Sequence, residues 1–306
     1  MTAPTESAPT GTTPPTRTAP TGGAATGGAP ADLARGRLLP GAAGALLSAL
    51  VVVAALLAAL APGLVAGDDP YASDYATALR PPYAHAWFGT DELGRDVFAR
   101  VVHGARSSLL IGVGATALAA LIGVVFGLAA ATLGRLVDLV VVRLADLVMA
   151  FPTLLFALVV IALIGGGRTN ILLSIAFATA PVFVRLVRSR VVVTARAEFV
   201  SALRLLGIGR FRLFARHVLP NALGPLLVVA TTGVGNALII GSGLSFLGMG
   251  AVPPEPEWGL LLANARNQLA HGWWLVVFPG LSITAVVVAF TVLGRWVRAR
   301  SHGAEA

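Results

Sequence analysis

The chain has 306 residues, 56% of them apolar and only 12% charged, with a formal net charge of +8. Soluble domains carry about 25% charged residues, so this composition excludes one and describes an integral membrane protein. The lack of cysteine excludes disulfides and thiol chemistry. Without a soluble basic domain or an RNA-binding motif, the positive charge points to membrane orientation and anionic lipid rather than nucleic acid.

Residues 1–36 are rich in Thr, Ala, Pro and Gly and show no apolar period. They cannot bury enough surface to fold and read as a disordered tail. Uncharged runs follow at 38–67, 107–134, 147–167, 169–184, 217–254 and 267–294. A helix needs about 20 residues to cross the hydrocarbon. The fourth run is short, but the arginines at its end can snorkel, which extends it to Thr169–Val187. The expected architecture is therefore an all-α membrane protein with six transmembrane helices. The first covers 37–66 and is uncleaved, because its apolar run is too long for a signal peptide. An extracytoplasmic segment occupies 67–106, a five-helix core 107–300, and a short tail 301–306.

All 22 basic residues are arginine. With the N-terminus inside, sixteen fall on the cytoplasmic side: Arg17, Arg35, Arg37, Arg135, Arg143, the eight from Arg185 to Arg216, Arg295, Arg298 and Arg300. The other six are Arg80, Arg95, Arg100, Arg106, Arg168 and Arg266, and the first outer loop adds six acids. This asymmetry over short loops places both termini in the cytoplasm by the positive-inside rule.

In the outer segment, Thr90 or Asp91 can cap a helix on which Val97, Phe98 and Val101 form an apolar strip opposite Arg95, Asp96 and Arg100. A helix entered through Asp91, Gly94, Arg95 and Asp96 would lie on the outer membrane face. It serves either as a contact for an external partner or gate, or as a cover held by local ion pairs. In the second span, Gly123 and Gly127 form a GxxxG pair suited to close helix packing. Asp138, Arg143 and Asp146 fall at the cytoplasmic end of the third span, where charges are costly. Arg143 and Asp146 are three apart on one helical face and placed to pair, as a structural element or as part of a gate. Pro152, Pro181, Pro225 and Pro279 should kink or locally unwind the last four spans.

The segment EFVSALRLLGIGRFRLFARHVLP, from Glu198 to Pro220, interrupts the apolar pattern, and a cytoplasmic loop is expected over about 188–220. Phe199, Ala202, Leu203 and Leu206 recur at i, i+3, i+4 and i+7, which predicts an apolar stripe over two helical turns. Gly207 ends that helix and Gly209 loosens the same corner. A second short helix then carries Phe211, Phe214 and Val218, and Pro220 suits the first turn of the next span. A helix, a glycine bend and another helix project apolar and arginine side chains, a shape suited to docking in a partner's groove. An amphipathic loop lying on anionic lipid has the same periodicity.

Catalytic patterns are missing. Without lysine there is no Walker-type phosphate loop, and HExxH and GxSxG are absent. The histidines at 85, 103, 217, 271 and 302 are scattered, so no metal site is expected. Gly112–Gly114 and Gly241–Gly243 lack the third glycine of a dinucleotide site and read as packing positions.

Ser201-Ala202-Leu203, then Gly207, then Leu219-Pro220 resembles the EAA loop of bacterial ABC importer permeases: the triplet, three residues, glycine, and Leu-Pro twelve residues later. Gly207, Leu219, Pro220 and Ala202 match, while Ser201 replaces the acid and Leu203 the second alanine. Glu198, one turn earlier, can stand in for that acid, and Arg204 adjoins the triplet. WFGTDELGRDVFARVVHGARSSLLIG, DLVVVRLADLVMAFPTLLFALVVIALIG and LSFLGMGAVPPEPEWGLLL are similar, in the same order, to segments of the dipeptide/oligopeptide/nickel permease subfamily, over about 87–296. The C-type subunit is the best match. The resemblance implies the type I ABC importer permease (MetI-like) fold in the bacterial plasma membrane. It implies a B-type permease partner, two cytoplasmic ATP-binding subunits and an extracytoplasmic solute-binding protein. ATP and Mg would be used by the partner ATPase, with no cofactor bound by this chain, which is then not itself an enzyme. The solute would be a di- or oligopeptide, a glutathione-like peptide or a nickel chelate, moved by alternating access. A secondary transporter or channel without an ATPase is the competing reading, although its usual mid-membrane ionisable residues are not evident.

Overall fold

Hydrocarbon offers no hydrogen bonds to a bare backbone, so spanning segments must satisfy their own. The computed structural model describes residues 38–67 and 69–303 and meets this demand with helices; isolated bridges are the only β pairing among the described residues. The expected tail over 1–36 and the end of the expected C-terminal tail, 304–306, lie outside the described residues. The chain divides into two units, Met1–Leu39 and Pro40–Ala306, and the second holds the helical bundle.

Helix α1 runs over Leu38–Leu60 and is followed by the short α2, Pro62–Val65. Then come α3 (Val97–Thr132), α4 (Arg135–Met149), α5 (Thr153–Ile164) and α6 (Arg168–Ala195). The loop segment contributes α7 (Glu198–Leu205), α8 (Arg210–Leu213) and a π-helical turn, Phe214–Val218. Helices α9 (Leu219–Phe246), α10 (Trp258–Ala265) and α11 (Trp274–Gly303) complete the chain. Among the described residues, five helical stretches are long and apolar enough to cross a membrane, and α4 and α5, bent by 98°, make a sixth when taken together as one broken span.

The third crossing therefore differs from the single helix expected over 147–167. Pro152 sits at the N-cap of α5. Its ring removes a backbone donor and drives Phe151 out of helical geometry, so the apolar run straddles a corner. Pro181, Pro225 and Pro279 instead lie inside continuous helices.

Helix α3 has 36 residues, and so rises about 54 Å, well past the ~30 Å of hydrocarbon. Its first turns belong to a cap at one end of the bundle. There Val97, Val101 and Leu109 pack with Leu238 of α9, Trp258 of α10 and Trp274 of α11. A middle layer joins α3, α5, α6 and α9 through Ala115, Ala157, Ile175 and Leu244. A third cluster, at the arginine-rich end, packs Val187 and Val191 of α6 with Val200 of α7, Leu213 of α8 and Ala222 of α9.

Helices α3 and α6 cross at the predicted glycine pair. A Cβ on Gly123 would sit 2.2 Å from Cβ of Phe183, and one on Gly127 2.8 Å from the Val184 carbonyl. Only hydrogen fits at either place, so the two backbones approach closely enough for dispersion to hold them. Gly112 and Gly241 face Leu238 and Ile111 in the same way, as packing positions.

Candidate coupling site

At the capped end, residues 69–96 form a turn-rich loop in place of the expected surface helix. The cap of α3 is Asp96, which accepts hydrogen bonds from the Phe98 and Ala99 amides at 3.1 and 3.2 Å; neither Thr90 nor Asp91 fills that role. Asp91 instead gathers the loop. It accepts from the Leu93 and Arg95 amides, pairs with Arg95 Nε at 2.7 Å and lies 3.7 Å from Arg100 Nε. Arg100 is only 1% exposed, on the buried side with Val97 and Val101 rather than opposite them. Burial there is possible because a carboxylate compensates the guanidinium. Gly94 turns the loop at φ 72°, and a Cβ there would lie 1.8 Å from the Asp74 carbonyl. Thr90 donates to the Thr77 carbonyl, and its own carbonyl accepts from Trp274 Nε1 at 3.0 Å.

A second tie at this end involves Glu257, the N-cap of α10. Its Oε1 accepts from Ser108 Oγ at 3.1 Å and the Gly259 amide at 2.9 Å, and its Oε2 from the Leu260 amide at 2.8 Å. Burial pushes this carboxyl above the ordinary carboxylate value, and the hydrogen bonds only partly oppose the shift. The surrounding Trp-Gly segment was legible in the sequence, and the cap was not. An acid immediately before the apolar run WGLLL is the signal that marks it.

Towards the arginine-rich end, the charges of α4 pair across a helix interface. Asp138 accepts from Arg188, and Asp146 pairs with Arg185, both arginines lying on α6. The partner of Asp146 is therefore Arg185, not Arg143 on its own helix as expected from spacing. Arg143 is exposed. The α4–α6 packing brings the long-range cation nearer, and spacing along one helix carries no information about that. Two of the eight arginines read as a polar loop are thus used to fasten α4.

The loop itself is a bracket built on α6 and α9. Glu198 opens α7, where its charge complements the helix dipole. Leu203 and Val200, the latter 0% exposed, pack into the cluster with Val187, Val191 and Val218. The predicted stripe is accordingly split. Leu203 faces inward beside Val200, whereas Phe199, Ser201, Ala202 and Leu206 face outward, with Leu205 and Leu206 90% and 77% exposed. The side chains of Arg204, Arg210 and Phe211 lie outside those described.

Gly207 ends α7 at φ 78°, a left-handed conformation that costs glycine little. The Ile208 amide reaches back to the Leu203 carbonyl at 3.3 Å, and both side chains join the inner cluster. This is the bond pattern and apolar contact of a Schellman stop. After α8, the Leu219 amide bonds the Phe214 carbonyl five residues back, in a π turn. Pro220 gives the reason: without an N–H, and with its ring against the carbonyl four residues earlier, it cannot continue an α turn there. Leu219 and Pro220 then begin α9.

Residues 123–302 match the model of the family described as binding-protein-dependent transport system inner membrane component, more than half of the chain. The chain belongs to this family. Among its relatives is the dipeptide transport system permease protein DppC of Alkalihalophilus pseudofirmus, 38% identical over 254 residues, which cover 83% of this chain and 84% of that one. The di/tripeptide transport system permease protein DppC of Pseudomonas aeruginosa is 39% identical over 264 residues, 84% and 86% of the two chains. The fold is similar to that in the crystal structure of an amino acid ABC transporter with histidines, with a TM-score of 0.54 at 14% identity over 66% of this chain and 94% of that one. This transport-system component is a multi-pass inner-membrane protein of the type I ABC importer permease (MetI-like) fold.

Proposed function

We propose that this permease moves short peptides, or a closely related solute, through the plasma membrane, driven by ATP hydrolysis on a separate chain that docks at α7. The observation that carries the proposal is the two-sided α7. One face is locked into α6 and α9 through Val200 and Leu203, and the other presents Phe199, Leu205 and Leu206 without cover among the described residues. A short helix held rigidly on one side and apolar on the other can receive a displacement and pass it on. The relatives named for dipeptide and di/tripeptide transport support the solute class.

In this reading the arginine-rich end is cytoplasmic. ATP and Mg would act on the partner ATPase, a solute-binding protein would deliver cargo at the capped end, and a B-type permease would complete the path. ATP binding would draw the two ATPases together and carry α7 with them. Motion of α7 would reach α6 through Val187 and Val191 and α9 through the π turn, so that the two helices rock between access states. The Asp138–Arg188 and Asp146–Arg185 pairs would keep the bent α4 moving with α6.

Extraction in mild detergent should bring down ATPase subunits with the wild-type chain. Exchange of Leu205 and Leu206 for Asp should release them while the permease stays folded in the membrane. Retention of the ATPase by that variant would count against docking at α7.

A further inference from the structure

The spans are apolar almost throughout, yet α9 carries Asn236 near its middle, exposed and without a hydrogen-bond partner among the described residues. An amide facing lipid loses hydrogen bonds that water or a polar partner would supply, so such a side chain marks a face that does not meet hydrocarbon. Its neighbours agree. Asn236, Thr232 and Gly233 of α9, Thr179 of α6 and Thr116 of α3 line one cavity of about 320 Å³. The three threonines donate to carbonyls of their own helices, at Val229, Ile175 and Gly112. Their oxygens still have lone pairs free to accept. Gly233 keeps the cavity open: a Cβ there would lie 3.1 Å from Thr116 Cγ2.

Val229 belongs to this cavity and also to a second, larger one of about 720 Å³, whose wall follows α6 from Leu186 to Thr194 and α9 from Pro220. The two adjoin at Val229 along the groove between α6 and α9, the smaller as its narrow part at mid-span and the larger as its wide part at the arginine-rich end. Arg190 and Arg298 line the wide part. No ionisable side chain lines the narrow part.

We propose that this groove is the chain's own half of the solute path, with Asn236 and Thr232 as its mid-membrane recognition point for backbone amides of a short peptide. A carboxamide both donates and accepts, as a peptide group does, and hydroxyl oxygens accept from a peptide N–H. Neutral contacts of this kind suit a site that must bind weakly and release. They ignore side-chain charge, and Gly233 sets the width. Arginines at the wide end favour passage of a terminal carboxylate. The inference rests on the proposed transport function and adds the residues that touch the solute.

The chain has no cysteine, so single cysteines can be placed in the assembled transporter and followed by mass on this chain alone. Thiolate forms in water and is suppressed in hydrocarbon, so Asn236→Cys and Thr232→Cys should react with a membrane-impermeant sulfonate thiosulfonate about tenfold or more faster than Leu227→Cys, exposed on the opposite face of α9. Asn236→Leu should lower ATP-driven uptake of dialanine severalfold while ATPase activity stimulated by the binding protein persists. Equal labelling at 236 and 227 would overturn the path. Labelling at 236 with unchanged dialanine uptake in Asn236→Leu would overturn recognition by the amide. Loss of ATP-dependent uptake in the parent complex would instead strike at the transport function itself.

Discussion

Gly207 is the residue on which the bracket turns. Nothing lies within 4 Å of a Cβ built there, so a substitution is opposed by backbone conformation alone, at φ 78°. Asparagine tolerates that region, alanine less well, and a β-branched residue least. Solute uptake should fall in the order Asn, Ala, Val, with a strain of about 1–3 kcal/mol for valine. Membrane insertion should persist, and binding-protein-stimulated ATPase activity should decouple from uptake. Equal uptake in Gly207→Val and wild type would show that the bend transmits nothing. Glu257 is the matching test at the capped end. Replacement by alanine removes a cap and an interhelical bond and should cost about 1–2 kcal/mol in thermal stability. Its pH effect has a definite sign. The folded chain holds this proton more tightly than the unfolded chain, whose value is near 4.5. Wild type should therefore lose stability relative to Glu257→Gln as pH rises through and above that value, and level off once the buried carboxyl is ionised. A gain with rising pH in detergent melting curves would contradict the burial argument.

Among the elements, the long apolar runs announced α1, α3, α6, α9 and α11 because composition alone decides what hydrocarbon accepts. The bent α4–α5 pair was hidden, since Leu147 to Phe151 and Thr153 to Ile164 are equally apolar on both sides of the corner. Pro152 announced a kink and not an angle of 98°. Gly207, Leu219 and Pro220 were legible because each does a local backbone task. Val200 and the partners of Asp138 and Asp146 were not, because burial and pairing there depend on helices far away in sequence. The α4–α6 pairs allow a direct check. Asp138→Arg or Arg188→Asp alone should reduce stability by about 1 kcal/mol or less at this partly exposed site, and the double exchange should recover most of it. At the α3–α6 crossing, Gly123→Ala meets backbone and Cβ of Phe183 rather than a flexible chain end. About 1–3 kcal/mol of destabilisation is expected, measured as earlier loss of monodisperse protein on heating.

At the scale of the whole molecule, the two ends are built for different tasks. The capped end is braced by Asp91, Arg95, Arg100, Glu257 and Trp274 in buried hydrogen bonds and ion pairs, and resists deformation. The other end holds α7, a π turn and the wide part of the α6–α9 groove. Movement is therefore expected at the arginine-rich end, pivoting on the close α3–α6 contact at Gly123 and Gly127. In the proposed function the chain contributes a path and a lever, and the energy enters through α7. Reconstitution of the permease pair, ATPases and binding protein in proteoliposomes tests this most directly. Dialanine uptake should require ATP and stop with Gly207→Val although the ATPase remains bound. Uptake by this chain without ATPase, driven by a proton or sodium gradient, would contradict the account.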